Sequence, residues 1–173
     1  MVNPIVSIVI ITWNRKDILK KNLAKIVLRE EVPIEVIVVD NNSDDGTEQM
    51  LNTSYSNCRY FKMSKNQGIR AYNIGASQAR GKYLLLLDDD SYPASGSVTK
   101  MVELFEEQPD VGIIPFNILH HETKEEYRTW HIPQISGRVE AVNFLGCGAG
   151  IRSELFKKAG YYPECFFIYE NEL

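Results

Sequence analysis

Three apolar runs without a polar face constrain most strongly what this chain can fold into. They are IVSIVII at residues 5–11, IEVIVV at 34–39 and YLLLL at 83–87. Runs that are apolar on both sides of a strand are typical of central strands in a parallel sheet. Segments with helical spacing separate them, which predicts that strands and helices alternate.

The full pattern predicts an α/β fold with a mostly parallel central sheet and helices on both faces. Asn14 is the expected N-cap of the first helix, with Asp17 in the first turn. The predicted strands are 5–11, 34–39, 59–63, 83–87 and 111–115, and the later helices are 47–51, 68–79 and 97–107. Beyond Pro115 the pattern is weaker. There 125–130 and 138–142 could be strands of a smaller mixed sheet, and 153–158 a short helix.

Composition narrows the class of protein. The chain has 173 residues, 44% of them hydrophobic, and a net charge of -4, which suits one globular domain and gives no support to a nucleic-acid partner. The widely spaced Cys58, Cys147 and Cys165 argue against a zinc site and for reduced thiols. Without a basic-then-apolar leader or a membrane-length run, we expect a cytoplasmic protein, or one on the cytoplasmic face of a membrane.

Acidic residues follow two of the apolar runs. Asp40 ends the second run, and Asp88, Asp89 and Asp90 follow four leucines. Ligands of open α/β sheets bind outside the carboxyl ends of the strands. Clustered carboxylates repel one another unless a cation lies among them, and Mg²⁺ and Mn²⁺ prefer such oxygens. A solvated acidic turn or a helix cap is the alternative, and the position at the sheet edge favours metal.

The usual phosphate-binding loops are missing from the sequence. TWNRKD follows the first strand without a GxGxxG pattern, and no GxxxxGK[ST] segment is present. A nucleotide would therefore bind through side chains and a metal ion. Asp40 could accept hydrogen bonds from a base or a ribose, or it could simply begin the turn NNSDDG.

Four segments, in this order, resemble family 2 glycosyltransferases of the GT-A fold. They are SIVIITWNR, VIVVDNNSDDGT, NQGIRAYNIGASQARGKYLLLLDDD and GCGAGIRSELFKKAGYYPECFFIYENEL, and together they extend over essentially the whole chain. The third segment, which ends in Asp-x-Asp, carries the family pattern on Asn66, Gly68, Ala71, Asn73, Gly75, Ala79, Gly81, Tyr83, Asp88 and Asp90.

The resemblance implies a metal-dependent, inverting glycosyltransferase. It would take a sugar from a UDP-, dTDP- or GDP-sugar, with Mg²⁺ or Mn²⁺, to a hydroxyl of a carbohydrate or lipid-linked acceptor in polysaccharide, glycolipid or glycoprotein glycan synthesis. Residues 1–173 would be a single, C-terminally truncated GT-A domain. Residues 1–115 would be its nucleotide-sugar-binding half, and 116–173 the start of an incomplete acceptor-binding half.

The resemblance also assigns residues. Asp90 would be the main metal ligand, together with Asp88. Asp40 would bind the base. The nucleotide-sugar site would comprise Thr12, Asn14, Arg15, Asp40, Asn42, Lys65, Asn66, Gly68, Arg70, Asp88 and Asp89.

The acceptor side is assigned less fully. The glycine-rich GCGAG at residues 146–150 would bring backbone close to sugar or acceptor, with Gly148, Ala149 and Trp130 as contacts. Close packing or a tight turn explains Gly146 equally well, and a core position would suit Trp130. The general base would lie in the terminal ENEL, as Glu172 or, in a shifted register, Glu170.

Two other readings remain open. A sugar nucleotidyltransferase would usually carry a glycine-rich basic loop where this chain has TWNRKD. A nucleotide-binding or scaffolding module without turnover would follow from the truncation. The basic residues of the first helix could contact anionic lipid as a peripheral membrane surface, or form a solvated face.

Overall fold

The computed structural model describes residues 3–26, 32–125 and 146–167. Its strands are β1 (Val6–Thr12), β2 (Ile34–Asp40), β3 (Arg59–Lys62), β4 (Tyr83–Asp88), β5 (Ile113–Pro115) and β6 (Ala149–Arg152). Its helices are α1 (Lys16–Ile26), α2 (Thr47–Ser54), α3 (Ala71–Gln78), α4 (Ser97–Glu107) and α5 (Ser153–Lys158). A 3₁₀ turn at Gly68–Arg70 precedes α3.

The strands form one sheet in the order β3-β2-β1-β4-β6-β5. The four strands β3, β2, β1 and β4 are parallel, whereas β6 runs antiparallel to both of its neighbours. The predicted α/β fold with a mostly parallel sheet is therefore confirmed. The fifth predicted strand is shortened to β5, and it pairs with β6 rather than with β4.

Helices cover both faces of the sheet. Alternate residues of each strand point to opposite sides, so β1, β2 and β4 contribute side chains to two cores. On one face, Ile8 and Ile10 of β1 belong to a core with residues of α1, α2 and α4. On the other face, Val9 packs in a second core with residues of α3 and α5. The fully apolar character of β1 follows from this double burial.

The predicted N-cap of the first helix is wrong. Asn14 adopts a left-handed conformation with φ of 53°, and its backbone N–H donates to Ser43 Oγ at 2.8 Å. The Arg15 carbonyl accepts the first helical hydrogen bonds, so α1 begins at Lys16. The Lys16 N–H donates to Asp45 Oδ2, at 2.8 Å, on the loop after β2. The cap thus comes from a residue remote in sequence.

The sequence did not predict β6. Its residues Ala149–Arg152 come partly from the glycine-rich GCGAG segment, which lacks strand propensity, and they form a strand because they pair between β4 and β5. The predicted helix at 153–158 is confirmed as α5. The possible strand at 125–130 lies, apart from Glu125, outside the described residues, as does the one at 138–142.

Candidate functional site at the carboxyl edge of the sheet

Polar side chains from neighbouring strands meet where β1, β2 and β4 end. Thr12 lies opposite Asp40 in the β1–β2 register, and Ile11 lies opposite Asp88 in the β1–β4 register. The loops that follow these strands therefore emerge side by side. This is the edge at which open α/β sheets bind ligands.

The three carboxylates of Asp88, Asp89 and Asp90, here called the acidic turn, point to different partners. β4 ends at Asp88, whose carbonyl accepts a hydrogen bond from the Ser91 N–H and closes a turn. Tyr72 OH donates to Asp88 Oδ1 at 3.0 Å, and Thr12 Oγ1 donates to Asp89 Oδ2 at 2.8 Å. Strand alternation stops at Asp88, so it does not set the direction of Asp90.

Arg15 bridges the other two carboxylates of the acidic turn. Its Nη1 lies 2.7 Å from Asp89 Oδ1, and its Nη2 lies 2.9 Å from Asp90 Oδ2. Burial lowers the pKa of Arg15, but the hydrogen bond to Asp90 and the charges of the acidic turn outweigh burial and raise the pKa overall. The guanidinium is therefore a permanent positive charge at this edge.

Burial makes the negative charge of the acidic turn costly. Desolvation raises the pKa of Asp89 to about 6, although the Thr12 hydrogen bond and the Arg15 charge act in the opposite direction. Desolvation also raises the pKa of Asp88, and the nearby charge of Asp90 adds to that effect. Positive charge supplied near these carboxylates would stabilise their ionised forms.

The donor set of the acidic turn suits a cation that is shared with a substrate. Among residues 3–26, 32–125 and 146–167, no group of three His, Cys, Asp or Glu side chains is arranged to hold a metal ion. Mg²⁺ commonly takes only one or two carboxylates and completes its shell with substrate phosphates and water. Asp88 and Asp90 provide carboxylate oxygens of that kind.

Asp40, the predicted base-binding residue, is fully buried and internally hydrogen-bonded. Its Oδ1 accepts the Ser43 N–H at 2.8 Å, and its Oδ2 accepts Tyr60 OH at 2.7 Å. Burial, followed by this contact with Asp40, raises the pKa of Tyr60 above its usual range. A nucleotide base could reach Asp40 only by displacing one of these partners, so its recognition of a base stays a prediction.

The loops after β1 and β2 carry two other predicted residues, Asn14 and Asn42, and one that sequence reasoning missed. Asn42 is exposed with φ of 70°, and Asn14 Oδ1 accepts the Asp44 N–H at 2.9 Å. Asn41, which was not predicted, is buried. It donates to the Gly68 carbonyl at 3.0 Å and accepts the Gln67 N–H at 3.0 Å. It thereby attaches the loop before α3 to the end of β2.

The loop before α3 carries four predicted residues. Lys65 is exposed, and Asn66 Oδ1 accepts the Gly68 N–H at 2.8 Å. Arg70 is partly buried, with its Nη2 3.9 Å from Glu164 Oε1. Gly68 has φ of +58° and lies directly against the backbone of Phe167. The loop therefore lies between the end of β2 and the segment that follows α5.

The segment after α5 is held at this edge by two sets of hydrogen bonds. Asn73 Nδ2 donates to the Tyr162 carbonyl at 2.9 Å, and the Tyr162 N–H donates to Asn73 Oδ1 at 3.0 Å. The Ile69 N–H donates to the Phe167 carbonyl at 3.0 Å. The predicted base candidates follow directly: Glu170 and Glu172 lie outside the described residues, as does Trp130.

Gly148 and Ala149, the predicted acceptor contacts, are built into the sheet. The Gly148 N–H donates to the Leu86 carbonyl, and its own carbonyl accepts the Phe116 N–H, each at 2.8 Å. With φ of +81°, Gly148 occupies a conformation that favours glycine. Ala149 is fully buried. Both residues thus pack against β4, and contact with a ligand stays a prediction.

Sequence reasoning missed four more residues at or near this edge. Trp13 is 53% exposed between Thr12 and Asn14, and its place directly after the strand was the signal that could have identified it. Tyr60 and Tyr72 contact carboxylates that lie 20 and 16 residues away in the sequence, and no local pattern predicts such partners. Cys147 lies against Asp88, and burial, followed by the Asp88 charge, raises the pKa of its thiol.

Comparison with known sequences determines the family. The sequence model described as "Glycosyl transferase family 2" matches residues 7–172. This chain belongs to glycosyl transferase family 2. Among curated relatives of this family 2 member, a GalNAc(5)-diNAcBac-PP-undecaprenol beta-1,3-glucosyltransferase of Campylobacter jejuni is 29% identical over 105 residues, covering 58% of this chain and 34% of the relative. Glycosyltransferase AglE of Haloferax volcanii is 33% identical over 96 residues, covering 52% and 32%.

Solved structures of other proteins share the fold of this family 2 member. S. aureus TarS in complex with UDP-GlcNAc superposes with a TM-score of 0.78 at 19% identity, over 97% of this chain and 51% of that chain. Mannosyltransferase PcManGT from Pyrobaculum calidifontis, in complex with GDP-Man and Mn²⁺, gives 0.69 at 19% identity, over 95% and 49%. The GT-A fold is thereby confirmed. This chain matches about a third of each of the two curated relatives and about half of each solved chain.

One further observation concerns membranes. None of the helices in the described ranges is both long enough and apolar enough to cross a bilayer.

Proposed function

We propose that this chain forms the donor-binding part of an inverting glycosyltransferase that uses a nucleotide-diphospho-sugar with Mg²⁺ or Mn²⁺. The observation that carries the proposal is the meeting of Arg15 with the acidic turn at the carboxyl edge of the sheet. Two neighbours in fold support it, since TarS was solved with UDP-GlcNAc and PcManGT with GDP-Man and Mn²⁺.

The diphosphate and the metal would be held on the acidic-turn side of the site. Asp90, half-exposed, and Asp88 would ligate the cation, which would stabilise the negative charge that develops on the departing nucleoside diphosphate. Arg15 offers a planar fork of donors that matches phosphate oxygens. Thr12 and Asp89 would hold Arg15 and the turn in position through their buried hydrogen bond.

The nucleoside would lie toward the end of β2. The exposed ring of Trp13 offers an apolar face on which a base could stack. Asp40 would accept a ring N–H of the base after Tyr60 or Ser43 gives up its hydrogen bond. The remaining donor contacts would come from the loops on either side: Asn14, Asn42, Lys65, Asn66, Gly68 and Arg70.

Transfer also needs a group that removes the proton from the acceptor hydroxyl. We assign this role to Glu172, with Glu170 as the alternative. In support of this assignment, Asn73 and the Ile69 N–H hold residues 162–167, which precede these glutamates in the sequence, beside the loop at Gly68. Gly148, Ala149 and Trp130 would lie on the acceptor side.

The acceptor would be a hydroxyl of a carbohydrate or of a lipid-linked sugar, in polysaccharide, glycolipid or glycoprotein glycan synthesis. The name of the Campylobacter relative includes an undecaprenol-linked sugar, which favours this acceptor class. We propose peripheral contact with the cytoplasmic face of a membrane, through exposed lysines of α1 such as Lys20 and Lys21. Residues 1–115 would form the donor half, and 116–173 would belong to the acceptor half.

Calorimetric titration tests the donor site. UDP, dTDP and GDP are each added with and without Mn²⁺ to the wild type, to Asp90→Ala and to Asp110→Ala. Asp110 is an exposed acid on the loop before β5, so its variant makes the same change in net charge away from the site. We expect one nucleotide to bind in a Mn²⁺-dependent way to the wild type and to Asp110→Ala, with at least tenfold weaker binding to Asp90→Ala.

The outcomes separate the alternatives. If the folded wild type binds none of the three nucleotides with Mn²⁺, the donor-site proposal is wrong. If a nucleotide binds but Asp90→Ala binds it equally well, the assignment of Asp90 is wrong. Incubation of the chosen nucleotide-sugar with acceptor then distinguishes a transferase from a nucleotide-binding module without turnover.

A further inference from the structure

We propose that Arg15 holds Asp90, one of the two carboxylates of the proposed cation site, until a nucleoside diphosphate draws it away, so that metal and nucleotide bind cooperatively. This inference rests on the proposed function, because it takes the acidic turn as the place where a divalent cation and a diphosphate are held together. It concerns a role of Arg15 other than donor contact, namely control of when the cation can bind.

The two ion pairs of Arg15 differ in their exposure to water. The Asp89 side chain is 4% exposed and also accepts the hydrogen bond from Thr12, whereas the Asp90 side chain is 51% exposed. Water competes for the Asp90 pair and hardly reaches the Asp89 pair. The contact between Arg15 Nη2 and Asp90 Oδ2 is therefore the one that breaks more easily.

A bound cation and Arg15 cannot share the Oδ2 atom of Asp90 at low cost. A Mg²⁺ ion lies about 2.1 Å from a carboxylate oxygen, and Mn²⁺ is coordinated in the same way. Arg15 Nη2 lies 2.9 Å from Asp90 Oδ2, so a cation on that oxygen could be at most about 5 Å from this nitrogen. At that separation the two positive charges repel strongly, and the guanidinium must move before the cation binds well.

Arg15 has both the freedom and the chemistry to move toward phosphate. Its side chain is 42% exposed, and its guanidinium can pair with two phosphate oxygens at once. A nucleoside diphosphate beside the acidic turn would attract Arg15 away from Asp90 and free that carboxylate for the metal. The phosphates would then also supply ligands to the cation. Each ligand would thus strengthen binding of the other.

The test measures Mn²⁺ binding directly, through the electron paramagnetic resonance signal of free Mn²⁺. The protein is titrated with and without saturating UDP as wild type, Arg15→Gln and Arg80→Gln. Arg80 is exposed in the turn before β4, at the opposite end of the sheet, so Arg80→Gln changes net charge equally without touching the acidic turn. Asp90→Asn in the Arg15→Gln background shows which binding belongs to this site.

Without UDP, we expect Arg15→Gln to bind Mn²⁺ roughly three- to fivefold more tightly than Arg80→Gln, the size expected for release of one exposed ion pair. UDP should increase the Mn²⁺ affinity of the wild type more than that of Arg15→Gln. Arg15→Lys keeps the charge but lacks the planar fork of donors, so its Mn²⁺ affinity without UDP should lie between those of the wild type and Arg15→Gln. This variant also carries the test if Arg15→Gln fails to fold.

Unchanged or weaker Mn²⁺ binding by Arg15→Gln without UDP would overturn the inference, and so would an equal gain from UDP in wild type and variant. The failure of the proposed function looks different. In that case the wild type binds no nucleotide in the presence of Mn²⁺, whatever residue stands at position 15.

Discussion

At the scale of single residues, buried polar groups at the carboxyl edge hydrogen-bond to one another. Asp40 accepts Tyr60 OH, Asp88 accepts Tyr72 OH, and Asp89 accepts the Thr12 hydroxyl. A buried carboxylate without such a partner would cost about 1–3 kcal/mol or more. These contacts therefore hold the ends of β2 and β4 in one arrangement before any ligand binds, and a ligand must exchange with them.

Gly68 provides a prediction at this scale. A Cβ at this position would lie 2.0 Å from the Phe167 carbonyl oxygen, a backbone atom that cannot rotate away. We expect Gly68→Ala to break the contact between Ile69 and Phe167 and to lower the free energy of unfolding by about 2–4 kcal/mol, from backbone strain plus overpacking. Urea unfolding measures the loss, and hydrogen exchange should show faster exchange in residues 162–167.

Gly96→Ala is the matched control for Gly68→Ala. Gly96 has φ of +77°, and nothing lies within 4 Å of the Cβ that would be added. Gly96→Ala should therefore lower the free energy of unfolding only by the backbone strain, about 1–2 kcal/mol. Equal losses of stability in the two variants would show that close contact with Phe167 is not what requires glycine at position 68.

At the scale of elements, single side chains from elsewhere in the chain organise helix ends. Asp45 accepts the Lys16 N–H of α1 and, from α2, both the N–H and the hydroxyl of Thr47. Arg152 of β6 donates to the carbonyls of Phe105, Gln108 and Val111, at and just beyond the end of α4. The contacts to the Lys16 N–H, the Thr47 N–H and the Phe105 carbonyl satisfy backbone groups that a helix leaves unpaired at its ends.

The packing of α3 on the sheet leads to a second prediction. A Cβ at Gly75 would lie 2.2 Å from Val9 Cγ1 and 3.2 Å from Val39 Cγ2. Alanine would favour the helix by about 0.5–1 kcal/mol, but overpacking a buried contact costs about 1–3 kcal/mol. We therefore expect Gly75→Ala to lower the free energy of unfolding by about 1–2 kcal/mol in urea titrations.

The exposed face of the same helix supplies the control. Ser77 lies two residues further along α3 and is exposed. Ser77→Ala should change the free energy of unfolding by less than about 0.5 kcal/mol. A Gly75→Ala protein as stable as the wild type, or more stable, would mean that α3 can move away from β1 without cost.

At the scale of the whole molecule, the two ends of the sheet have different roles. The proposed donor site lies at the carboxyl edge. At the amino edge, Glu35 accepts hydrogen bonds from Ser7 Oγ, the Arg80 N–H and Arg59 Nη1. One carboxylate thus connects β1, β2, β3 and the turn before β4. The two ends are separated by about 20 Å, the length of a seven-residue strand.

Glu35 gives a pH-dependent prediction. Burial raises the pKa of Glu35, but the hydrogen bonds from Ser7, Arg80 and Arg59 outweigh it, so the folded pKa lies below its usual range. Its contribution to stability is present above the unfolded pKa, about 4.3, and is lost as pH falls through the lower folded pKa. We expect Glu35→Gln to cost about 1–2 kcal/mol at pH 7, and the difference from the wild type to shrink below about pH 4.

Urea unfolding at neutral and acidic pH measures this difference. Glu107→Gln, an exposed carboxylate on α4, should leave stability nearly unchanged at both pH values. Nucleotide binding by Glu35→Gln should match the wild type, because the residue lies at the end opposite the proposed site. A Glu35→Gln cost that is constant across this pH range would contradict the assigned role of its charge.

The sequence by itself determined the order of strands and helices as far as β5, the acidic residues after β2 and β4, and the family resemblance. These features can be predicted because periodicity and short motifs depend only on neighbouring residues. The mostly apolar sequence of β1, for example, is recognisable without knowing which helices pack against it. The sequence also predicted Thr12, Arg15 and the three aspartates as site residues. The structure brings Thr12 and Arg15 into direct contact with Asp89.

Only the tertiary structure decided how those residues are paired. Thr12 is 77 residues from Asp89, and Arg15 is 75 residues from Asp90, so no local pattern could predict that Arg15 bridges the acidic turn. For the same reason, the sequence did not predict that Asp45, and not Asn14, accepts the hydrogen bond from the start of α1. It did not predict β6 either, because that strand forms by pairing with β4 and β5. Long-range contacts override local propensity wherever the partner is supplied by another element.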